Sequence, residues 1–399
     1  MNKRSRRWLS LVAVLAVAAL FATACGDDSD GTTAATTTAA GTGGATTTTA
    51  GVAGCANGYT DAADLSLTRK VARCDKGAPA PKPLATRTKV KVASAFKLEF
   101  MSPILLGMSL GEFDKENIDI DFISLPFSDA APQLATGAID VAVGGFEIAL
   151  FAAGNANLPV KVAMGNYYPP KAGDYTVPQT GLWCRRDSFS NPQNPFSVIK
   201  EIEKLKWASS VGKGSSGIYY AAAELKKRIP DLNIKGTVID RVPSTDTVAA
   251  LKNKAIDCGI LLDPVWTQVS TDPAFFQAAT QTPGEPLGIY AYGKSFLSDK
   301  PDVGVAFARA FIRTINTYYQ GDYHKDTTVM AEIAKQTGQS MTALTAVDSL
   351  VMDWEVRKDT TTRIQQLFID LGVITDWKTP VAEDKLVDRS FYMKAVGKT

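Results

Sequence analysis

Two adjacent serines, Ser215 and Ser216, lie where the segment VGKGSSGIYYAAAE passes from a strand through a glycine-rich loop into a helical pattern. The first turn of a helix has backbone N–H groups without intrahelical partners and a partial positive charge, which suits an anionic or carbonyl group. Lys213 adds a charge to this loop, although a lysine in such a loop more often faces water. These residues, together with Gly217, predict a site for a hydrogen-bond acceptor.

Carboxyl and aromatic side chains in other loops predict a complementary chemistry. Glu99, Glu147 and Asp263 would repel a simple anion such as nitrate but would suit an amine or a protonated ring nitrogen. Nearby aromatic rings would add stacking and cation–π contacts of about 0.5–2 kcal/mol each where water is excluded. The rings are those of Phe96, Phe100, Phe146 and Trp266. We therefore expect a small nitrogen-containing organic solute, zwitterionic or cationic and with heteroaromatic rings among the candidates, rather than an inorganic anion.

The elements that must position these residues alternate between strands and helices. KVKVASAF has the composition of a strand, and IDIDFISL alternates isoleucine and phenylalanine against aspartate. Between them, one helical face carries Met101, Ile104, Leu105 and Met108. A helix over APQLATG and strands over AIDVAVGG and LPVKVAMGNYY follow. This alternation predicts βαβ units and therefore a parallel sheet flanked by helices.

The same order of elements begins again after the proline-rich link YYPPKAGDYTVPQT. GLWCRR, LKWASSV, GTVIDRV and AIDCGILL are strand-like, and GIYYAAAELKKRI is helical. By eye, PQLATGAIDVAVGGF aligns with VAALKNKAIDCGILLDP, each being a helix that leads through Ala-Ile-Asp into a buried strand. From Pro301 onward the pattern is mainly helical. The sequence thus predicts one α/β core laid out twice, followed by a helical region.

Ligands of doubly wound sheets bind at the carboxyl ends of the strands, which defines the predicted pocket. The candidate ligand-binding residues are Phe96, Glu99, Phe100, Phe146, Glu147, Ser215, Ser216, Gly217, Ser244, Thr245, Asp263 and Trp266. Each type also has a structural alternative. Aromatic residues at strand ends often pack in hinges or cores, Asp263 before Pro264 is a common turn residue, and Ser244 suits a helix N-cap.

The N-terminus has the layout of an export signal followed by a tether. Basic residues precede an apolar run from Trp8 to Phe21, which is shorter than the ~20 residues of a spanning helix. The ending resembles a bacterial lipobox, with Ala22 in place of the usual leucine, which predicts that Cys25 is acylated with a fatty acid such as palmitate. An ordinary signal peptide is the alternative. Gly31–Gly54 is almost wholly Thr, Ala and Gly, and a flexible coil of this length has an end-to-end distance on the order of 25–30 Å.

Composition excludes several classes of function. A net charge of +2 over 399 residues argues against a nucleic-acid partner, which requires a concentrated basic face. The single histidine, His324, follows a predicted helix and is expected to be a solvated surface residue rather than a catalytic one. Walker, HExxH and Gly-x-Ser-x-Gly motifs are not found in the sequence. We expect no enzymatic activity, no catalytic residues, no cofactor and no metal.

Five cysteines include Cys25, which leaves an even number in an exported protein and predicts two disulfides. Three pairings are possible. We favour Cys55 with Cys74 and Cys184 with Cys258, because the other two pairings would tie the leader to the core.

The order of several motifs, rather than any single one, is similar to a known family. SPILLGMSLGEFDKENIDIDFISL, LATGAIDVAVGGFEIAL, SSVGKGSSGIYYAAAELKKR, VAALKNKAIDCGILLDPVW and PDVGVAFARAFIRTI resemble substrate-binding proteins of ABC importers. The group is the one that binds nitrate, taurine, alkanesulfonates and the pyrimidine precursor of thiamine. The resemblance implies an α/β, two-lobed, type II periplasmic-binding-protein fold, each lobe a mostly parallel sheet flanked by helices. It also places the strand of Cys258 beside that of Cys184.

The implied organisation has four parts. Residues 1–24 are a signal peptide, 25–86 a lipid-anchored tether and leader, 87–178 with 293–399 the first lobe, and 179–292 the second lobe. The implied function is capture of a small organic solute, nitrogen-containing or sulfonate-like, and its delivery outside the cytoplasm to an ABC permease and its ATPase by a monomer. Only the N-terminal lipid would contact the bacterial membrane. The alternatives are an enzyme of the futalosine menaquinone pathway type, whose cytoplasmic character the signal and tether contradict, and a ligand-sensing receptor.

Overall fold

Two five-stranded sheets organise the chain in the computed structural model, which describes residues 79–95 and 97–397. The strands are β1 (Thr88–Ser94), β2 (Ile118–Ser124), β3 (Val141–Gly144), β4 (Lys161–Gly165), β5 (Tyr167–Tyr168), β6 (Gly181–Arg185), β7 (Trp207–Ser209), β8 (Ile239–Arg241), β9 (Cys258–Leu261), β10 (Phe275–Thr280), β11 (Ile289–Tyr292) and β12 (Val351–Met352). The α-helices are α1 (Ser102–Ser109), α2 (Phe127–Thr136), α3 (Ile148–Asn155), α4 (Ser216–Lys226), α5 (Ser244–Lys252), α6 (Pro301–Tyr318), α7 (Thr327–Thr337), α8 (Met341–Thr345), α9 (Thr360–Asp370), α10 (Glu383–Leu386) and α11 (Ser390–Ala395). Short 3₁₀ segments cover Glu99–Met101, Asp114–Glu116, Arg186–Ser188, Pro195–Lys204, Gly212–Gly214, Val265–Gln268 and Tyr323–Lys325, and a π-helical turn covers Ser295–Asp299.

The two sheets define two lobes with matching topology. The first sheet has the order β2-β1-β3-β11-β4, and the second has the order β10-β6-β9-β7-β8. In the first sheet only β11 runs against its neighbours, pairing antiparallel with β3 and β4. In the second sheet only β6 does so, pairing antiparallel with β9 and β10. The predicted architecture of mostly parallel sheets flanked by helices is confirmed.

The doubled helix-to-strand unit predicted from the sequence is present in both lobes. Helix α2 leads into β3 and helix α5 leads into β9, and each of these strands is central in its sheet. Both strands are almost entirely buried, because helices cover the sheet on both faces, so continuous apolar runs replace alternation. The carboxyl ends of β3 and β9 therefore lie at corresponding positions of the two lobes.

A disulfide joins the two cysteines that the sequence analysis paired in the second lobe. Cys184 in β6 lies directly opposite Cys258 in β9 in the antiparallel register, and the two sulfur atoms are bonded. Both side chains are fully buried in the core of the second lobe. The predicted Cys184–Cys258 pair is thus present, whereas Cys25, Cys55 and Cys74 lie outside the described residues.

The chain crosses between the lobes at positions that differ from the expected boundary. We expected the second lobe to extend to residue 292, but β11 (Ile289–Tyr292) belongs to the first sheet. Helix α9, expected with the first lobe, contributes to both cores. Its Phe368 is buried in the first core, and Leu371, at the end of the helix, is buried in the second. The reason is that α9 packs against α4, whose opposite face covers the second sheet.

The start of the described chain is attached to the first lobe by a buried ion cluster. Arg309 and Arg313 of α6 bind the fully buried carboxylate of Glu116 at distances of 2.7 and 2.8 Å. The same Glu116 accepts a hydrogen bond from the backbone N–H of Lys82, and Arg309 donates to the Lys82 carbonyl.

Within the described residues, no helix has the length and apolar character needed to cross a membrane.

Candidate functional site

A small cavity lies between the two lobes at the carboxyl ends of their central strands. Its volume is about 50 Å³, enough for a polar group of a few atoms. Phe100 and Tyr167 stack with ring centroids 5.3 Å apart and form an aromatic wall of this inner cavity. Residues contributed by both lobes complete the lining: Gly144, Gly145, Glu147, Ser209, Ser210, Val211, Ser215, Ser216, Gly217, Ser244, Ile260, Leu262, Leu287 and Gly288.

Glu147 is the carboxyl group of the inner cavity. It precedes the first turn of α3 and is 8% exposed, and its Oε2 atom is buried without a hydrogen-bond partner. Burial raises the pKa of Glu147 to about 7, against the opposing effects of the Gly145 backbone and of Arg241. Near neutral pH the group therefore exchanges between an acceptor and a donor form, and an N–H group of a ligand would satisfy it.

Two helix starts of the second lobe line the same cavity as Glu147. Ser215 is the N-cap of α4, where its Oγ accepts from the Ile218 N–H at 3.2 Å, and Ser216 begins the helix. Ser244 is the first residue of α5. The structural alternative for Ser244, a helix N-cap, is wrong, because Pro243 occupies that position. The unpaired N–H groups of these first turns provide donors for an acceptor group.

A larger outer pocket of about 660 Å³ adjoins the inner cavity and shares Gly144, Glu147, Ser210, Val211 and Ser244 with it. It is also lined by Thr245 and by the cationic side chains of Lys97 and Arg241. This volume is in the range of pockets that hold small organic ligands. A solute could thus place a small polar group in the inner cavity and its remainder in the outer pocket.

The lobes meet closely around these two spaces, so the structure represents a closed arrangement. A Cβ placed on Gly214 would lie 2.9 Å from the Ile148 Cβ of the other lobe, which leaves no room for a methyl group. At the rim of the outer pocket, Arg241 of β8 forms an ion pair of 3.5 Å with Asp129 of α2. Both partners of this pair are about half exposed, so its contribution to closure is small.

Glu99 does not line either space, contrary to the sequence prediction. Its side chain is fully buried, and its Oε1 accepts hydrogen bonds of 2.5 Å from the Tyr323 hydroxyl and from His324 Nε2. The expectation that His324 is a solvated surface residue is also wrong, because the imidazole fills the space between Glu99 and the Val347 carbonyl. Burial opposes protonation of His324, but the hydrogen bond and charge of Glu99 outweigh it and raise the pKa.

Three further predicted residues lie away from the two spaces. Phe146 is fully buried and belongs to the core of the first lobe. Asp263 and Trp266 line a separate cavity of about 20 Å³ near the proline-rich link. There the Trp266 Nε1–H donates to Asp263, and burial raises the pKa of Asp263 to about 6. Trp266 stacks on Trp183, so its ring belongs to the core of the second lobe.

Seven of the predicted residues line the two spaces, and several lining residues were not predicted. Phe100, Glu147, Ser215, Ser216, Gly217, Ser244 and Thr245 line one or both, whereas Phe96 lies outside the described residues. Ser209, the last residue of β7, and Ser210, which follows it, were missed although the strand-end rule would have found them. The same rule would have found Tyr167, two residues after β4, whereas Leu287 and Gly288 precede β11 and had no such signal. Among the described residues, no group of three or more His, Cys, Asp or Glu side chains is arranged to hold a metal ion.

Comparisons with known proteins agree with this architecture. No protein-family model and no curated protein matches the chain. The periplasmic nitrate-binding protein of Synechocystis PCC 6803 is similar in structure, with a TM-score of 0.59, 12% identity, and coverage of 79% of this chain and 90% of that one. The ligand-binding component of an ABC-type import system from Staphylococcus aureus, solved with zinc bound, has a TM-score of 0.56, 13% identity, and coverage of 77% and 99%.

A third similar structure is the alkanesulfonate-binding protein of Xanthomonas axonopodis pv. citri bound to MOPS. Its TM-score is 0.54 at 14% identity, with coverage of 78% of this chain and 99% of that one. At these identities the similarity establishes the fold. The two-lobed periplasmic-binding-protein architecture expected from the sequence resemblance is therefore confirmed.

Proposed function

We propose that this protein is the extracytoplasmic solute-binding component of an ABC importer. It captures a small organic solute between its lobes and delivers it to a permease and its ATPase. The fold supports this role, because similar structures are ligand-binding components of import systems and are named for nitrate and alkanesulfonate. The proposed lipid on Cys25 and the Thr/Ala/Gly segment would keep the lobes near the permease, and loss of lipid incorporation in Cys25→Ser would test this anchor.

The observation that carries the proposal is the buried, unpartnered carboxyl oxygen of Glu147 in the inner cavity. A buried polar atom without a partner is unfavourable by about 1–3 kcal/mol, so a ligand that supplies the missing hydrogen bond gains affinity. The hydroxyl groups and helix starts of the second lobe line the same cavity and offer donors. This arrangement suits a solute that carries both an N–H donor and an oxygen acceptor.

The chemistry of the site favours a nitrogen-containing solute over a sulfonate-like one that lacks nitrogen. A sulfonate could accept from the first turns of α4 and α5, but it carries no N–H group, so the ionised form of Glu147 would keep Oε2 without a hydrogen-bond donor. Lys97 and Arg241 in the outer pocket would accommodate an anionic remainder of the solute. With Glu99 and Asp263 located elsewhere, Glu147 alone carries the preference for nitrogen in our proposal.

A thermal-shift screen tests this function. Amines, zwitterions, heteroaromatic bases, alkanesulfonates and nitrate are each added to the purified chain, and a ligand at 100 times its Kd adds about 2.7 kcal/mol of stability. Calorimetry of the best ligand with Glu147→Gln should show a loss of about 1.5–3 kcal/mol. Asp302→Asn, which removes an exposed carboxylate on α6, is the matched control and should bind normally.

Two results would overturn the proposal. The first is an absence of stabilisation by any compound of a broad library together with catalytic turnover of one of them. The second, which concerns only the solute class, is preferential binding of nitrate or a simple alkanesulfonate with undiminished affinity in Glu147→Gln.

A further inference from the structure

The segment that leads the chain from the second lobe back to the first, residues 281–288, is here called the crossing segment and forms part of the inner cavity wall. Residues 281–288 connect β10 of the second sheet with β11 of the first sheet. Leu287 and Gly288 line the cavity, and the Leu287 N–H donates to the Tyr167 carbonyl at 2.9 Å. The shape of the cavity therefore depends on the conformation of this crossing segment.

Glu285 links the crossing segment to α4 and α9 through its carboxylate. Its carboxylate is 2% exposed and binds Arg363 of α9, with distances of 2.7 Å from Nε to Oε1 and 3.3 Å from Nη2 to Oε2. The Tyr219 hydroxyl of α4 donates to the same Oε1 at 3.4 Å. In the adjacent position, the Tyr220 hydroxyl donates to the Pro286 carbonyl. The segment is thus held between α4 and α9 by polar contacts in a buried environment.

Helix α4 links these contacts to the solute site. Its first residues, Ser216 and Gly217, line the cavity, and Tyr219 one turn later contacts both Glu285 and α9. The Tyr219 ring packs edge-on against Phe368 with centroids 6.1 Å apart. A displacement of Arg363 would therefore be transmitted to the cavity through two routes, the crossing segment and the first turn of α4.

We propose that Arg363 is a positioning residue for the inner cavity, which it shapes through Glu285 without contacting the solute. This inference rests on the proposed function in so far as the cavity is the solute site. Removing the guanidinium leaves Glu285 as a buried carboxylate with one weak partner, Tyr219, which favours movement of the crossing segment toward water. The wall formed by Leu287 and Gly288 then loosens, and water reaches Glu147.

Hydrogen–deuterium exchange of the ligand-free protein tests the first step. In Arg363→Met, amide exchange of the peptide spanning 282–289 should rise about tenfold relative to wild type, because local opening exposes the Leu287 N–H. Arg389→Met is the matched control, since Arg389 forms a partly buried pair with Glu383 at 3.1 Å and donates to backbone carbonyls away from the crossing segment. The control should leave this peptide unchanged.

The pH dependence of stability provides a readout that a purely structural role would not move. Glu147→Gln removes the contribution of Glu147 to the change of unfolding free energy with pH. In the Arg363→Met background this contribution should be at most half of that in wild type, because hydration restores an ordinary pKa to Glu147. The contribution of Glu147 to the pH dependence should be unchanged in the Arg389→Met background. Arg363→Lys, which keeps a cation at this position, should show an intermediate change in both measurements and supplies the same readouts if Arg363→Met does not fold.

Two unchanged readouts in an Arg363 variant that folds would overturn the proposal. These are the amide exchange of the 282–289 peptide and the contribution of Glu147 to the pH dependence of stability. Neither measurement requires a solute. Failure of the solute screen would therefore contradict the proposed function but not the positioning role of Arg363. Unchanged exchange and pH dependence in the Arg363 variants would contradict the positioning role but not the proposed function.

Discussion

Gly145, which directly follows β3, faces Ser216 at the start of α4 so closely that a Cβ on Gly145 would lie 2.2 Å from Ser216 Oγ and 3.1 Å from Ser216 Cβ. The two residues belong to different lobes, so this contact exists only when the lobes are closed. Rotation of the serine side chain would remove the first contact but would leave the second, which is tighter than most contacts of a real Cβ atom. Glycine at 145 therefore favours the closed arrangement, since the crowding arises from the contact between the lobes.

We predict that Gly145→Ala destabilises the closed arrangement by about 1–3 kcal/mol, the usual cost of inserting a methyl group into a packed contact. Small-angle scattering should then give a larger radius of gyration than that of wild type, with the folded state intact by circular dichroism. Gly236→Ala is the control, because a Cβ there meets nothing within 4 Å. An identical radius of gyration in all three proteins would contradict lobe closure at this contact.

Glu147 should make the protein less stable as the pH rises. Its pKa of about 7 in the folded state exceeds the ordinary value of 4.5, so the folded state binds the proton more tightly than the unfolded state. The stabilisation is complete below pH 4.5 and is lost as the pH rises to about 7, by about 3 kcal/mol in total. Urea unfolding of wild type and Glu147→Gln across this range should show the difference, and Asp302→Asn should not reproduce it.

His324 should remain protonated to a higher pH than an exposed histidine. Because it is the only histidine of the chain, its imidazole signals can be followed by NMR without assignment of others. We expect a midpoint above 6.5 in wild type and a lower one in Glu99→Gln, since the Glu99 contact raises the pKa. The stability that this pair contributes is present below pH 6.5 and is lost as the pH passes the raised pKa. A midpoint at or below 6.5 in wild type would show that burial dominates.

The Cys184–Cys258 disulfide should stabilise the second lobe substantially. The two cysteines are 74 positions apart, and in the chain-entropy model a loop of this length contributes about 4 kcal/mol. Replacing both by serine should lower the free energy of unfolding by about that amount while leaving the pattern of βαβ units intact. Mass spectrometry of non-reduced peptides provides the direct check, and recovery of both as free thiols would contradict the bond.

The sequence determined the elements and their order because local patterns carry that information. Apolar periodicity located β1, β2, β3 and the central strands of the second lobe, and the repeated Ala-Ile-Asp units indicated the duplication. The strand-end rule and helix-start chemistry were sufficient to find Glu147, Ser215 and Ser216, since those residues reach the cavity through the backbone geometry of their own loop. The Cys184–Cys258 pair was reached through cysteine count and the family resemblance.

The tertiary structure alone decided which loop side chains face the cavity between the lobes. Glu99 follows β1 just as Glu147 follows β3, yet Glu99 is bound by Tyr323 and His324, which lie 224 and 225 positions away in the chain. No local pattern encodes partners at that separation. In the same way, Arg363 and Glu285 meet only because α9 packs on α4. A buried carboxylate takes the nearest available donor, and the identity of that donor is set by the packing of distant segments.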